Sequence, residues 1–321
     1  MTQENWRPGA DRAMLEQRAA LFARVRAFFA ARGVLEVDTP CVVNHAASDV
    51  HIQSARVDFA DAAVRFLHTS PEYAMKRLLA AGSGDIFQIC HVVRTCERSR
   101  LHNSEFTLLE WYRTGFSLRD LMAEVEALLR DVAAGVAAGI TEQVSYAEAF
   151  RRELALDPFA ASTAELAQAA QRLGFVAGTA AASRDDLLDF LMALRIGPGL
   201  GRRGLAFIHS YPASQAALAR RDPQDARAAE RFELYREGVE LANGYHELAS
   251  TEEQRERFIE DNRQRQRRGL PALAIDEHLL AALAAGLPDC AGVALGMDRL
   301  LMLSTGAARI DDVIAFATEW A

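Results

Sequence analysis

RFELYREGVELANGYHEL, residues 231–248, reads as a β-hairpin. Its β-prone halves flank Glu237-Gly238, a dipeptide suited to a two-residue hairpin loop. A loop there pairs Tyr235 with Glu240 and leaves Glu233 diagonally on the same face, about 7 Å from Glu240. Two carboxylates at that spacing can share a divalent cation. Downstream, GVALGMDRLLML (292–303) reads as a small-residue strand that turns through Gly296 into a helix with Asp298 and Arg299 in its first turn. Upstream, IFQICHVVR (86–94) and FTLLEWY (106–112) are apolar, β-prone runs joined by the polar TCERSRLHNSE, the pattern of an antiparallel pair with a long charged loop. Period-two alternation puts Glu110 and Tyr112 on one face of the second run.

Helices are expected around these strands. Thr69-Ser70-Pro71-Glu72 reads as a helix start with Ser70 as N-cap, Pro71 at the first position and Glu72 in the first turn; Gly82 closes that helix. Residues 15–32 carry Leu15, Phe22, Val25 and Phe29 at helical spacing, stop at Gly33 and feed a short strand, VLEVDTP, ending at Pro40. Residues 117–231 are alanine-rich helical patterns broken at Asp157-Pro158 and IGPGLGRRG (196–204), read as a helical insertion within one domain spanning 1–321. The pattern predicts an α+β fold, an antiparallel sheet of about six strands flanked by helices.

With 321 residues, 50% hydrophobic and 25% charged, the chain has the balance of an ordinary soluble protein. No apolar run approaches a membrane span and the N-terminus lacks the apolar stretch of a signal peptide, so the cytoplasm is the expected compartment. Four cysteines without a CxxC pair read as reduced thiols, and Cys90, His91, Cys96 and His102 match no common zinc spacing. The net charge of -8 weighs mildly against a protein built to grip nucleic-acid phosphates. RERFIEDNRQRQRR (255–268) is the basic exception, either a solvated helix face or a dock for an acidic partner.

The order of these signals resembles the three signature motifs of class II aminoacyl-tRNA synthetases across nearly the whole chain: a helix and strand ending in Pro40, Arg94 with a charged hairpin loop, and the Glu-rich hairpin followed by a glycine strand leading to Arg299. SPEYAMKRL (70–78), RLHNSEFTLLEWY (100–112), ELANGYHEL (240–248) and GMDRLLML (296–303) are similar to the corresponding stretches of the lysyl branch. Lysyl-tRNA synthetases carry an N-terminal anticodon-binding OB domain, whereas here the first motif begins close to Met1. A lysyl-type core of this length resembles a family of synthetase paralogues that load an activated amino acid onto elongation factor P. The resemblance implies ATP and Mg²⁺, a substrate that is (R)-β-lysine or lysine, elongation factor P as acceptor with tRNA not expected, and a homodimer. A truncated enzyme charging tRNA and a non-catalytic regulatory paralogue are the alternatives.

By the same resemblance, Arg94 contacts the α-phosphate and the substrate carboxylate, and Arg299 holds the γ-phosphate. Glu233 and Glu240 hold Mg²⁺, while Thr95, Arg100, His102, Asn103, Leu241 and Gly296 surround ATP. Ser70, Pro71 and Glu72 face the main amino group of the substrate; Glu247 with Tyr112 faces its distal ammonium, aided by Glu110 and Asn243. Ala294 stands where lysyl-tRNA synthetases usually have glycine, and one methyl in a tight pocket is worth about 1 to 3 kcal/mol, enough to favour a β-amino isomer. Strict alternation puts Glu240 and Glu247 on opposite faces, so a bulge or bend at Asn243-Gly244 is expected. The family's second motif reads Arg-x-Glu, but Arg94-Thr95-Cys96 puts cysteine where glutamate meets the adenine amino group. Either Glu97 swings in, or backbone contacts and loop residues suffice.

Overall fold

Helix α1 (Arg12–Ala30) starts at Asp11, whose carboxylate accepts a hydrogen bond from Met14 N, and its C-terminal stop is Gly33 at φ +68°. The chain continues through β1 (Leu35–Glu36), β2 (Val42–Val43), β3 (Arg56–Asp58), β4 (Val64–Leu67), α2 (Glu72–Ala80), β5 (Ile86–Val93) and β6 (Glu105–Thr114). Then come α3 (Leu118–Val132), β7 (Glu142–Ser145), α4 (Tyr146–Leu154), α5 (Thr163–Arg172), α6 (Arg184–Leu191) and β8 (Ala206–Pro212). The last elements are β9 (Ala228–Arg236), β10 (Val239–His246), α7 (Thr251–Arg267), α8 (Glu277–Gly286), β11 (Cys290–Gly296) and α9 (Met297–Thr305). This computed structural model describes residues 6–60, 63–95, 98–176, 182–319 and 321.

Among the described residues the main sheet has eight strands in the order β1-β5-β6-β11-β10-β9-β8-β7. The central run of six strands from β5 to β8 is antiparallel throughout, and the whole sheet exceeds the expected six or so by two. The two extra strands, β1 and β7, are short and join the edges in parallel. β1 lies within the expected VLEVDTP strand but covers only two of its residues, whereas β7, four residues long, is too short for periodicity to reveal. The stretch 117–231 is therefore not purely helical: AFIHSYP (206–212) is a full strand inside it. Strands β2, β4 and β3 form a separate small sheet.

Alternation divides the two faces of the main sheet. Leu109 and Trp111 of β6 point into a core shared with Phe29 of α1, Val125 and Leu128 of α3 and Leu300 of α9. Trp111 has no exposed surface, stacks edge-on against Phe29 and donates its indole N–H to Glu124. Burial of an aromatic of that kind contributes about 1.5 to 3 kcal/mol. The inner face of α1 is Leu21, Val25, Phe28 and Phe29; Leu15, expected on it, is 37% exposed because it lies off that stripe. The opposite face of the sheet, with Glu110 and Tyr112, is the floor beneath α2, α7 and α8. Helices α4 to α6 bury Tyr146, Phe150 and Leu187 against Ile208 and Tyr211 of β8.

The basic stretch on α7 resolves into internal pairing. Arg255 meets Glu277, Arg263 and Arg267 meet Glu260, and Arg268 meets Asp186. Arg257 donates to the carbonyls of Ala217 and Ala219, and Arg265 is buried against those of Pro271 and Asp49. No helix among the described residues is long and apolar enough to cross a membrane.

Candidate active site

The β9–β10 hairpin turns at Glu237-Gly238, both with positive φ (+53° and +75°), as a two-residue loop of that twist requires. Tyr235 pairs with Glu240 as predicted, but the next pair is Leu234 with Ala242, so Leu241 is an extra residue. The bulge falls at Leu241, not at Asn243-Gly244. It does what the expected one was to do: Glu240 and Asn243 come to one face, with Tyr245 and Glu247 following.

Register then aligns residues that are far apart in the chain. Glu110 of β6 pairs with Ala294 of β11, Ala294 with Asn243 of β10, and Asn243 with Glu233 of β9. One row along, Tyr112 pairs with Gly292, Gly292 with Tyr245, and Tyr245 with Arg231. Both rows, Glu233 excepted, floor a cavity of about 940 Å³ that α2, the start of α9 and the loop through His102 enclose.

At one end three carboxylates converge. Glu110 accepts from Ser70 Oγ and from Tyr112 OH, each at 2.7 Å. Helix α2 begins one residue later than expected, but Ser70 Oγ still accepts from Glu72 N at 3.0 Å. Lys76, absent from the sequence-based expectations, is one turn beyond Glu72 and 1% exposed. Its Nζ lies 2.7 Å from Glu72 Oε1 and 2.6 Å from Glu247 Oε2. Burial, reinforced by Glu72, pushes the Glu110 carboxyl up to about 7 against the pull of Tyr112 and Ser70. Burial also raises Glu247, with Lys76 opposing, while its two carboxylate neighbours hold Lys76 protonated against its own burial. Pro71 lines the cavity wall, and Gly292 has no room to spare: a Cβ there would sit 2.3 Å from the Tyr112 ring and 2.7 Å from Glu247 Oε1.

At the other end Arg299 projects from the first turn of α9. Its guanidinium donates to Glu240 O at 2.8 Å and Leu101 O at 3.3 Å, and meets His102 Nε2 at 2.6 Å. Arg94 stacks over the Phe106 ring on the same cavity wall. Glu240 is 40% exposed at its side chain with Oε2 3.8 Å from Arg299. Glu233 is buried and accepts from Arg231 at 2.5 Å and Tyr235 OH at 2.7 Å. Both Glu233 oxygens are thus engaged and the residue is not part of the cavity lining, so of the two acids it is Glu240 that offers a hard oxygen ligand to the cavity. Arg231 was missed; alternation with Glu233 along β9 was its signal.

Other expected residues are placed differently. Arg100 points away from the cavity and donates to Ala308 O, and Thr95 bonds Gln53 O. Asn103 does line the cavity while also donating to Glu105 O and accepting from Thr318, which braces the C-terminal segment. The Leu241 side chain is in the core, and Gly296 opens α9 at the cavity edge. Cys96 and Glu97 lie outside the described residues.

Residues 5–319 match the family of class II tRNA synthetases (D, K and N), and the chain belongs to that family. Its relatives narrow the class. It is 48% identical over 321 residues, 98% of each chain, to the elongation factor P--(R)-beta-lysine ligase of Salmonella arizonae, with the same figures for those of Salmonella paratyphi B and Salmonella heidelberg. Family and relatives together make the chain an ATP-dependent ligase.

Proposed function

We propose that this chain activates (R)-β-lysine with ATP and transfers it to a lysine ε-amino group of elongation factor P. Near-complete coverage of both chains by relatives so named supports the acceptor. The observation that carries the substrate is the three-carboxylate end of the cavity: Lys76 uses one oxygen of Glu72 and one of Glu247, leaving the other oxygen of each for an ammonium group. Ala294 sits between Glu110 and Asn243 on the floor, where its methyl shortens the site.

In the first step a carboxylate oxygen of the amino acid bonds to the α-phosphorus of ATP as the bond to the β-phosphate breaks, releasing pyrophosphate. In the second the acceptor amine bonds to the activated carbonyl and AMP departs. Negative charge grows on the phosphates, so preplaced cations stabilise the transition state. Arg94 serves the α-phosphate and Arg299 the γ-phosphate, the latter pre-oriented by Leu101 O, Glu240 O and His102. Glu240, with Glu233 behind it, would hold magnesium, which when bound would add charge neutralisation on the phosphates. On this reading the protein works in the cytoplasm as a homodimer.

The deciding experiment offers labelled (R)-β-lysine and ATP to the enzyme with purified elongation factor P or with tRNA. Label on the factor alone is expected; label on tRNA alone overturns the acceptor. Ala294→Gly is expected to raise activity with α-lysine about 10-fold or more. An unchanged preference between the isomers in pyrophosphate exchange would remove Ala294 from selectivity.

Amino-acid binding also depends on pH in a stated direction. Burial holds the Glu110 carboxyl up at about 7, and incoming ammonium groups favour its ionised form. Affinity is therefore full above that value and declines as pH falls through it. KM for the amino acid, measured by exchange at saturating ATP from about pH 8 to about pH 6, should rise on the acid side. A flat KM would show that no pocket carboxyl titrates there.

A further inference from the structure

We propose that Lys76 is a specificity-determining residue, a built-in ammonium between Glu72 and Glu247 that trims the pocket's negative charge to what a diammonium amino acid neutralises. The inference rests on reading this end of the cavity as the amino-acid site. Three carboxylates line the cavity there, and one lysine, buried just behind that lining, is fixed between two of them. Fully ionised, three acids and one lysine leave two negative charges, the complement of two substrate ammonium groups.

Placement separates this role from an ordinary ion pair. A buried ion pair is a poor source of stability, since apolar residues of the same volume usually serve as well. Lys76 instead spans a helix and the end of β10, fixing two acids that arrive from different elements. It contacts Oε2 of Glu247, while Oε1 is buried, without a hydrogen-bond partner, and close to Gly292 on the cavity floor. The lysine thereby orients each carboxylate and leaves its second oxygen to the substrate. Without it the acids repel, and protons must take the place of the missing cation.

The test uses Lys76→Met, which keeps the apolar stem, and Lys76→Gln, which keeps hydrogen bonding without charge. Both should raise KM for (R)-β-lysine or lysine in pyrophosphate exchange by about 10- to 100-fold, with KM for ATP within about twofold. Lys76→Ala should lose as much and recover on addition of ethylammonium, which restores both charge and volume. Rescue is the readout a merely structural role would not give. Unchanged amino-acid KM in Lys76→Met, or parallel loss of ATP and amino-acid affinity without ethylammonium rescue, overturns the role of Lys76 while leaving the proposed function intact. A wild-type enzyme that exchanges with neither amino acid overturns both.

Discussion

Arg299→Ala is expected to slow amino-acid-dependent pyrophosphate exchange by about 10³-fold, the scale on which a positioned arginine acts in phosphoryl transfer. The guanidinium is held before any substrate arrives: the Leu101 and Glu240 carbonyls and His102 Nε2 take its donors and fix its plane. Beneath it, Asp298 is 1% exposed and accepts from Arg18 of α1 at 2.5 Å and from Thr107 N at 2.7 Å, so the first turn of α9 cannot swing. Little reorganisation is left for the reaction itself, which is the condition under which such a charge is most effective. Lysine in its place keeps the charge but loses the fork, and Arg299→Lys should recover only a minor part of the rate. Near-wild-type exchange by the lysine variant would mean that point charge, not bidentate geometry, is what this position supplies.

Gly292→Ala should raise KM for the amino acid by about 10- to 100-fold, corresponding to about 1 to 3 kcal/mol of overpacking. The added methyl would overlap the Tyr112 ring and crowd Glu247 Oε1, two neighbours that cannot both retreat. Tyr112 is tied to Glu110 by its hydroxyl, and Glu247 to Lys76. KM for ATP should hold, because Arg94 and Arg299 are at the other end of the cavity. Titration of each substrate against exchange rate checks this; a joint rise in both constants would place the damage in the sheet as a whole.

Much of this site could be read from local pattern, and what could not has a physical cause. The Glu237-Gly238 turn, the shared face of Glu110 and Tyr112, and the strand-to-helix passage at 292–303 are near-neighbour features, and all three hold. Lys76 was within reach too, since a glutamate followed four residues on by lysine marks adjacent positions on a helix. Its burial was not, because Glu247 arrives from the far end of the chain. The rows that set Ala294 between Glu110 and Asn243 depend on pairing between strands that are not consecutive, and no period along the chain encodes that. Arg100 is expected around ATP from the resemblance alone, whereas it lies outside the cavity lining and bonds Ala308 O, in a segment that carries no periodic signal.

The extra residue at Leu241 makes the arithmetic of the strand matter more than its chemistry. Glu240 and Glu247 are an odd number of steps apart, and a regular ladder would set them back to back, one in solvent-filled space and one among the phenylalanines. A spacer residue converts odd to even. The interval between the two acids is thus fixed in length even where its side chains could vary. One residue inserted after Asn243 would invert Tyr245 and Glu247 into the core, and such a variant should lose amino-acid-dependent exchange outright, whereas an insertion in the loop before β9 leaves the parity of the strand untouched.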